Sequence, residues 1–149
     1  MRALGVDYGR KRVGLALSDP SGMLARPWKT LAIAGLDQQV ASLASEIDAL
    51  TRDTDGLGVI VIGLPRRLSG EPNEQTAAVR DLAARLGRRT AVPIVMQDER
   101  LTSHEAEERL ARREKDWRKR KAQLDAAAAA IILQDYLDTR SPRLLEPEP

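Results

Sequence analysis

Several carboxylates stand where apolar residues would serve packing better. Asp7 closes the apolar run 3–7 (ALGVD), and a carboxylate in such a place persists mainly when it is paired or bound to a cation. Turn formation is the competing reading, since Asp-Tyr-Gly is good turn chemistry. Asp98 and Glu99 follow the segment 93–97 (PIVMQ), at the kind of strand end where ligands gather in open α/β sheets. Alternation sends one of the two inward, and the flanking Ile94, Val95 and Met96 favour neither face. An ion pair between either acid and Arg100 is the simpler explanation of that motif alone. Asp125 lies in the first turn of an expected helix, where a negative charge suits the helix dipole. Its neighbours Leu124, Ala126, Ala127 and Ala128 are all apolar, which leaves little reason for a charge unless something positive faces it.

Acids drawn from separate elements suit Mg2+ or Mn2+, hard cations that take oxygen ligands. A pair of such ions can clamp the attacking and leaving oxygens of a phosphodiester, one activating water and the other stabilising the departing oxygen. Other chemistries are excluded by composition. The chain has no cysteine, hence no disulfide, thiolate zinc site or cysteine nucleophile. Its single histidine, His104, argues against a histidine-rich metal site.

The positive charge is unevenly placed. Over 149 residues the net charge is only +2, yet Arg109, Arg112, Arg113, Lys115, Arg118, Lys119, Arg120 and Lys121 crowd one stretch. Such a run binds phosphates without reading sequence, and Trp117 within it could stack on an unpaired base. Charge runs are more often solvated segments, but the length of this one and its excess of basic over acidic residues favour binding. Two glycine-containing segments could approach phosphates closely: 9–14, with Arg10, Lys11 and Arg12, and 63–70, with Arg66 and Arg67.

The elements that must position these groups are legible as hydrophobic periodicity. Residues 3–7 and 12–17 (RVGLAL) form an antiparallel pair around a tight connection at 8–11, and 28–33 supplies a third strand. Over 38–50, Val40, Leu43, Ala44, Ile47 and Leu50 recur at helical spacing. The run 58–62 (GVIVI) is a strand covered on both faces. A helix over 74–86 carries Val79, Leu82, Ala83 and Leu86, with Gly87 placed to end it. After the strand at 93–97, Thr102 and Glu105 have capping-box spacing, so a helix is expected at 102–110. Residues 112–121 lack an apolar stripe and are expected to form an exposed, mobile loop. The alanine-rich segment 122–137 is the last helix, tucked against the sheet. The whole is an α/β layer fold with a mixed sheet. One domain is expected over 1–138, with 139–149 as a flexible tail. No segment has a signal-peptide or membrane-spanning pattern, so the expected location is cytoplasmic.

Four motifs in order are similar to one family. Residues 5–19 (GVDYGRKRVGLALSD), 61–70 (VIGLPRRLSG), 98–106 (DERLTSHEA) and 124–133 (LDAAAAAIIL) resemble the YqgF (RuvX) family, Holliday-junction-resolvase-like nucleases associated with pre-16S rRNA. The resemblance covers nearly the whole chain. It implies an RNase H-like fold, a mixed five-stranded sheet with helices on both faces, and Mg2+- or Mn2+-dependent cleavage of phosphodiesters in 5′ maturation of pre-16S rRNA. By position it implies Asp7, Glu99 and Asp125 as catalytic and metal-holding acids, favouring Glu99 over Asp98. The basic residues Arg10, Lys11, Arg12, Arg66, Arg67, Arg100, Arg118, Lys119, Arg120 and Lys121 are then the nucleic-acid contacts. Expected partners are structured RNA or branched DNA and ribosomal precursor particles, with the protein a monomer or weak homodimer.

Two other classes compete. A non-catalytic RNA-binding factor associated with ribosomes or transcription would need the basic surface and not the acids. An actin-like ATPase would share Asp7-Tyr8-Gly9 and Gly14, but such enzymes build their cleft between two domains of this kind, and this chain supplies one.

Overall fold

The computed structural model describes residues 1–65, 75–98 and 117–145, with side chains over 123–139 in the last stretch. Glu99, Arg66, Arg67, Arg100 and the expected helix at 102–110 lie outside the described residues. In chain order the elements are β1 (Arg2–Tyr8), β2 (Val13–Ser18), β3 (Ala25–Leu31), α1 (Leu36–Arg52), β4 (Leu57–Leu64), α2 (Thr76–Gly87), β5 (Ile94–Asp98) and α3 (Trp117–Leu145).

The strands form one mixed sheet in the order β3-β2-β1-β4-β5. β1, β2 and β3 make an antiparallel meander. The chain then crosses over through α1, so that β4 lies parallel to β1 and β5 parallel to β4. The C-terminal ends of β1, β4 and β5 therefore share one edge of the sheet.

Strand alternation divides the core in two. Leu4, Val6, Leu15, Ile60 and Ile62 pack with Leu43 and Ile47 of α1 and with Leu82 and Leu86 of α2. Ala3, Ala16 and Val61 face the other way, onto Ala129, Ile132, Leu133 and Leu137 of α3. Helices thus cover both faces, and β4, which has a strand on each side, is buried as its unbroken β-branched run requires. Each fully buried Leu or Ile contributes about 1.5–3 kcal/mol.

Polar contacts fix how the helices sit. Gln134 of α3 accepts the Ala25 N–H at 2.8 Å and donates to the Met23 carbonyl at 3.1 Å, which ties the helix to the start of β3. Arg2 reaches the C-terminal end of α1, donating to Leu50 O at 3.5 Å and pairing with Asp53 at 3.1 Å. A cation there suits the helix dipole.

Three expectations need correction. α3 starts at Trp117 and continues to Leu145, so 117–121 are helical and not loop, and the helix runs past residue 137. Its alanine-rich centre is anchored to the sheet, and adding Arg and Lys, good helix formers, to an existing helix is easy compared with nucleating one. Gly87 is the last residue of α2 without a left-handed conformation; positive φ occurs at Gly22, Gly35 and Gly56. The third strand begins earlier than expected, at Ala25. It is an edge strand, where Arg26 and Pro27 are tolerated although they break the apolar pattern.

Candidate active site

Asp7 lies near the C-terminal end of β1, the central strand. Ala3 and Gly5 face α3, so alternation puts Asp7 on that face too. Its register partner across the antiparallel pair is Gly14 of β2.

Asp125 reaches the same place from above. Asp125, Ala129, Ile132, Leu133 and Leu137 recur at positions i, i+4, i+7, i+8 and i+12, a single helical stripe, and the last four are buried on the sheet. The acid therefore continues the sheet-facing stripe one turn beyond its apolar part. What admits the helix so close is the absence of side chains beneath it. A Cβ on Gly14 would lie 2.0 Å from the Asp125 carbonyl oxygen, and one on Gly5 would lie 2.8 Å from the Ala129 oxygen. Gly14 thus links the two acids, opposite Asp7 in the sheet and in contact with the backbone of Asp125. Sequence reasoning assigned Gly14 to a phosphate-approaching segment; it is instead buried under α3. The available signal was a glycine inside an apolar strand, a mark of close backbone approach.

The loop between β1 and β2 borders this point. Arg12 is half-exposed and its Nε lies 3.5 Å from Asp125 Oδ2, while Arg10 and Lys11 are exposed to solvent. Beneath the loop, Gln39 of α1 is only 1% exposed. Its Nε2 donates to the carbonyls of Gly9, Arg10 and Ile33 at 2.9, 3.0 and 2.8 Å. Its Oε1 is buried without a hydrogen-bond partner. Turning the amide over would set an oxygen against three carbonyls, so the orientation is forced. Gln39 was missed in the sequence, although a polar residue in register with Leu43 and Ile47 of an apolar stripe was the clue.

Asp98 ends β5 on the face of Ile94 and Met96, which pack with the α1/α2 core. By alternation it is directed away from the face of Asp7 and Asp125. Residues 118–121 extend α3 as helix beyond the site. A depression of about 480 Å³ lined by Asp37, Asp81, Arg85, Arg88 and Arg89 lies between α1 and α2, on the opposite side of the sheet. Arg85 pairs there with Asp37 and, at 3.4 Å, with Asp81, which accounts for its charge.

The donor chemistry fits a divalent cation. Two carboxylates, from β1 and α3, share one face at the strand ends, and a guanidinium already stands beside one of them as a positive charge. Among the described residues no group of three acidic or histidine ligands forms. Two carboxylates suffice for an ion such as Mg2+, which retains several waters.

The sheet order and the helices on both faces are those of the RNase H-like resolvases. A Thermus thermophilus RuvC in complex with a Holliday junction substrate superposes with a TM-score of 0.52, covering 94% of this chain and 95% of the other at 15% identity. A fowlpox virus resolvase bound to Holliday junction DNA gives 0.57, with 98% and 100% covered at 12% identity. At such identities the likeness speaks for the fold.

Sequence comparison is more specific. The family described as RuvX, Holliday junction resolvase, matches residues 1–139. A relative from Maridesulfovibrio salexigens, named "Putative pre-16S rRNA nuclease", is 43% identical over 137 residues, covering 92% of this chain and 98% of the relative. Relatives of the same name from Anaeromyxobacter dehalogenans and Synechocystis sp. are 40% and 35% identical, covering 95% and 97% of this chain and 100% and 91% of their own. The chain belongs to the RuvX family, as its four motifs implied. Among the described residues, no helix is long and apolar enough to cross a membrane.

Proposed function

We propose that the protein is a divalent-metal-dependent nuclease of a single domain over residues 1–138, cutting structured RNA to mature the 5′ end of pre-16S rRNA in the cytoplasm. The observation that carries this reading is Asp125. It is an acid placed in the sheet-facing stripe of α3 and seated on Gly14, beside the strand end that holds Asp7. With its side chain 31% exposed, that carboxylate is open to a cation at the strand end. The names of the relatives support the RNA substrate.

Asp7, Asp125 and Glu99 make up the ligand set. Met96 and, by alternation, Asp98 belong to the α1/α2 face, and the family motif at 98–106 gives the third role to Glu99. Mg2+ or Mn2+ held by these acids supplies an activated water and a counter-charge for the departing oxygen. Arg10 and Lys11, exposed beside the site, take flanking phosphates, and Arg12 pairs with Asp125. Arg66, Arg67 and Arg100 adjoin the ends of β4 and β5 in sequence, and Arg118, Lys119, Arg120 and Lys121 continue the basic track along α3. Phosphate contacts of this kind give affinity without base specificity.

The test uses end-labelled RNA with an unprocessed ribosomal 5′ extension and, separately, a four-way branched DNA, each in Mn2+, Mg2+ or EDTA. Cutting of the RNA with either metal and its loss in EDTA are expected. Cutting of the branched DNA alone would transfer the activity to DNA, and binding without cutting in every arm would make the protein a binding factor.

A further inference from the structure

Among the described residues Arg12 forms an ion pair with Asp125, and its position is imposed by the backbone around it. The Gly9 and Arg10 carbonyls are held from below by Gln39 at 2.9 and 3.0 Å. Above the sheet, Asp125 is pressed against Gly14, two residues beyond Arg12. Within the loop, a Cβ on Gly9 would lie 2.7 Å from the Arg12 carbonyl oxygen, so the connection is tightly folded on itself. The backbone is thus held on both sides of Arg12, while its side chain is half-exposed.

The pair itself is poised for exchange. Arg12 Nε and Asp125 Oδ2 are 3.5 Å apart, with the side chains 49% and 31% exposed. That is too long for a tight charge-assisted hydrogen bond, which closes to about 2.7–2.9 Å. Solvent-exposed pairs of this kind are weakly held. A divalent cation on the same carboxylate would face the guanidinium at short range, and a phosphate arriving at the site would offer Arg12 a better partner.

We propose that Arg12 is a stand-in cation: it holds Asp125 while the site is empty of metal, competes with the divalent ion for that carboxylate, and is drawn off onto a substrate phosphate when the ion and the nucleic acid bind together. The inference rests on the reading of Asp7 and Asp125 as metal ligands. It adds to that reading a residue that opposes metal binding to the free protein and favours it in the complex. Metal and nucleic acid would then bind with positive coupling, since each removes an obstacle to the other.

Mn2+ binding to the full chain, measured by calorimetry without nucleic acid, tests the idea independently of activity. Arg12→Ala is expected to bind Mn2+ about two- to fivefold more tightly than the wild type, the range an exposed pair supports. Arg12→Lys should fall between them, and Lys11→Ala, which removes a neighbouring charge, should change the affinity less than Arg12→Ala. Loss of structure does not tighten a site, so a gain in affinity is a signature that simple damage would not produce. In a second arm, a noncleavable structured RNA should increase Mn2+ affinity in the wild type and lose most of that effect in Arg12→Ala. Unchanged or weaker Mn2+ binding by Arg12→Ala, with normal binding by the wild type, would overturn the role of Arg12 alone. Absence of Mn2+ binding in both proteins would overturn the metal site and the inference together.

Discussion

Gly14 and Asp125 touch through their backbones, so closely that a methyl group on Gly14 would lie 2.0 Å from the Asp125 carbonyl oxygen and 2.2 Å from its carbon. No rotamer can relieve a clash with main chain, so the helix would have to move. Gly14→Ala should therefore displace the first turns of the described part of α3 and carry Asp125 away from Asp7. The expected result is a stability loss of about 1–3 kcal/mol by urea unfolding together with loss of divalent-ion binding. A variant that binds the ion normally would show that the contact is not what places Asp125.

Gln39 should matter to the loop more than to the core around it. Gln39→Met keeps the volume but leaves the Gly9, Arg10 and Ile33 carbonyls without their donor, at a cost of about 1–3 kcal/mol. Gln39→Glu should be worse, because it directs a carboxylate at three carbonyl oxygens. Limited trypsin digestion reads the local effect: cleavage after Arg10 and Lys11 should accelerate in both variants relative to the wild type.

These two residues also mark what the sequence could not convey. The continuous run in β4 and the stripes of α1 and α2 were legible because burial imposes a period on apolar residues, and Asp7 and Asp125 stood out as acids in such surroundings. The partners that bring them together carry no charge. Gly14 acts through the side chain it lacks, and Gln39 through main-chain carbonyls, two of them 30 and 29 residues away, so neither has a local pattern. The choice between Asp98 and Glu99 was closed in the pattern of residues 94–96 and became visible on one side only when Ile94 and Met96 proved to pack with α1 and α2. The start of α3 was misjudged because an apolar stripe was required of a segment that is helical by continuation.

Asp19 predicts a pH dependence in the turn between β2 and β3. Its carboxylate accepts the Ser21 hydroxyl and the N–H groups of Leu24 and Met23, both at 2.9 Å. Led by the Ser21 bond, these lower its pKa from 3.8 to about 2. A depressed folded-state pKa adds stability that is present above the ordinary value and disappears as pH falls through the lowered one. The stability difference between wild type and Asp19→Asn should thus be constant above pH 5 or so and shrink between about pH 4 and pH 2. Thermal unfolding across that range measures it, and a difference that grows on acidification would contradict the assignment. Because the turn is exposed, the effect should be small.

The basic extension of α3 should govern affinity rather than turnover. Replacing Arg118, Lys119 and Arg120 by Ala should weaken RNA binding and reduce the slope of log affinity against log salt by about 2–3, close to one per lost phosphate contact. The cleavage rate at saturating RNA should change much less. An unchanged salt slope would remove these side chains from the interface.

The most direct test of the account is single-turnover cleavage of the ribosomal precursor RNA in Mn2+ by wild type, Asp7→Asn, Asp125→Asn and the double variant, with RNA binding measured in parallel. If the two acids form one metal site, each substitution should slow cutting by more than about a hundredfold, beyond the usual cost of disturbing a ligand's orientation. The double variant should then be scarcely worse than either single one, because residues that act as a unit are not additive, and RNA binding should persist throughout. Cutting retained by Asp125→Asn, or losses that multiply in the double variant, would mean that Asp7 and Asp125 do not act together.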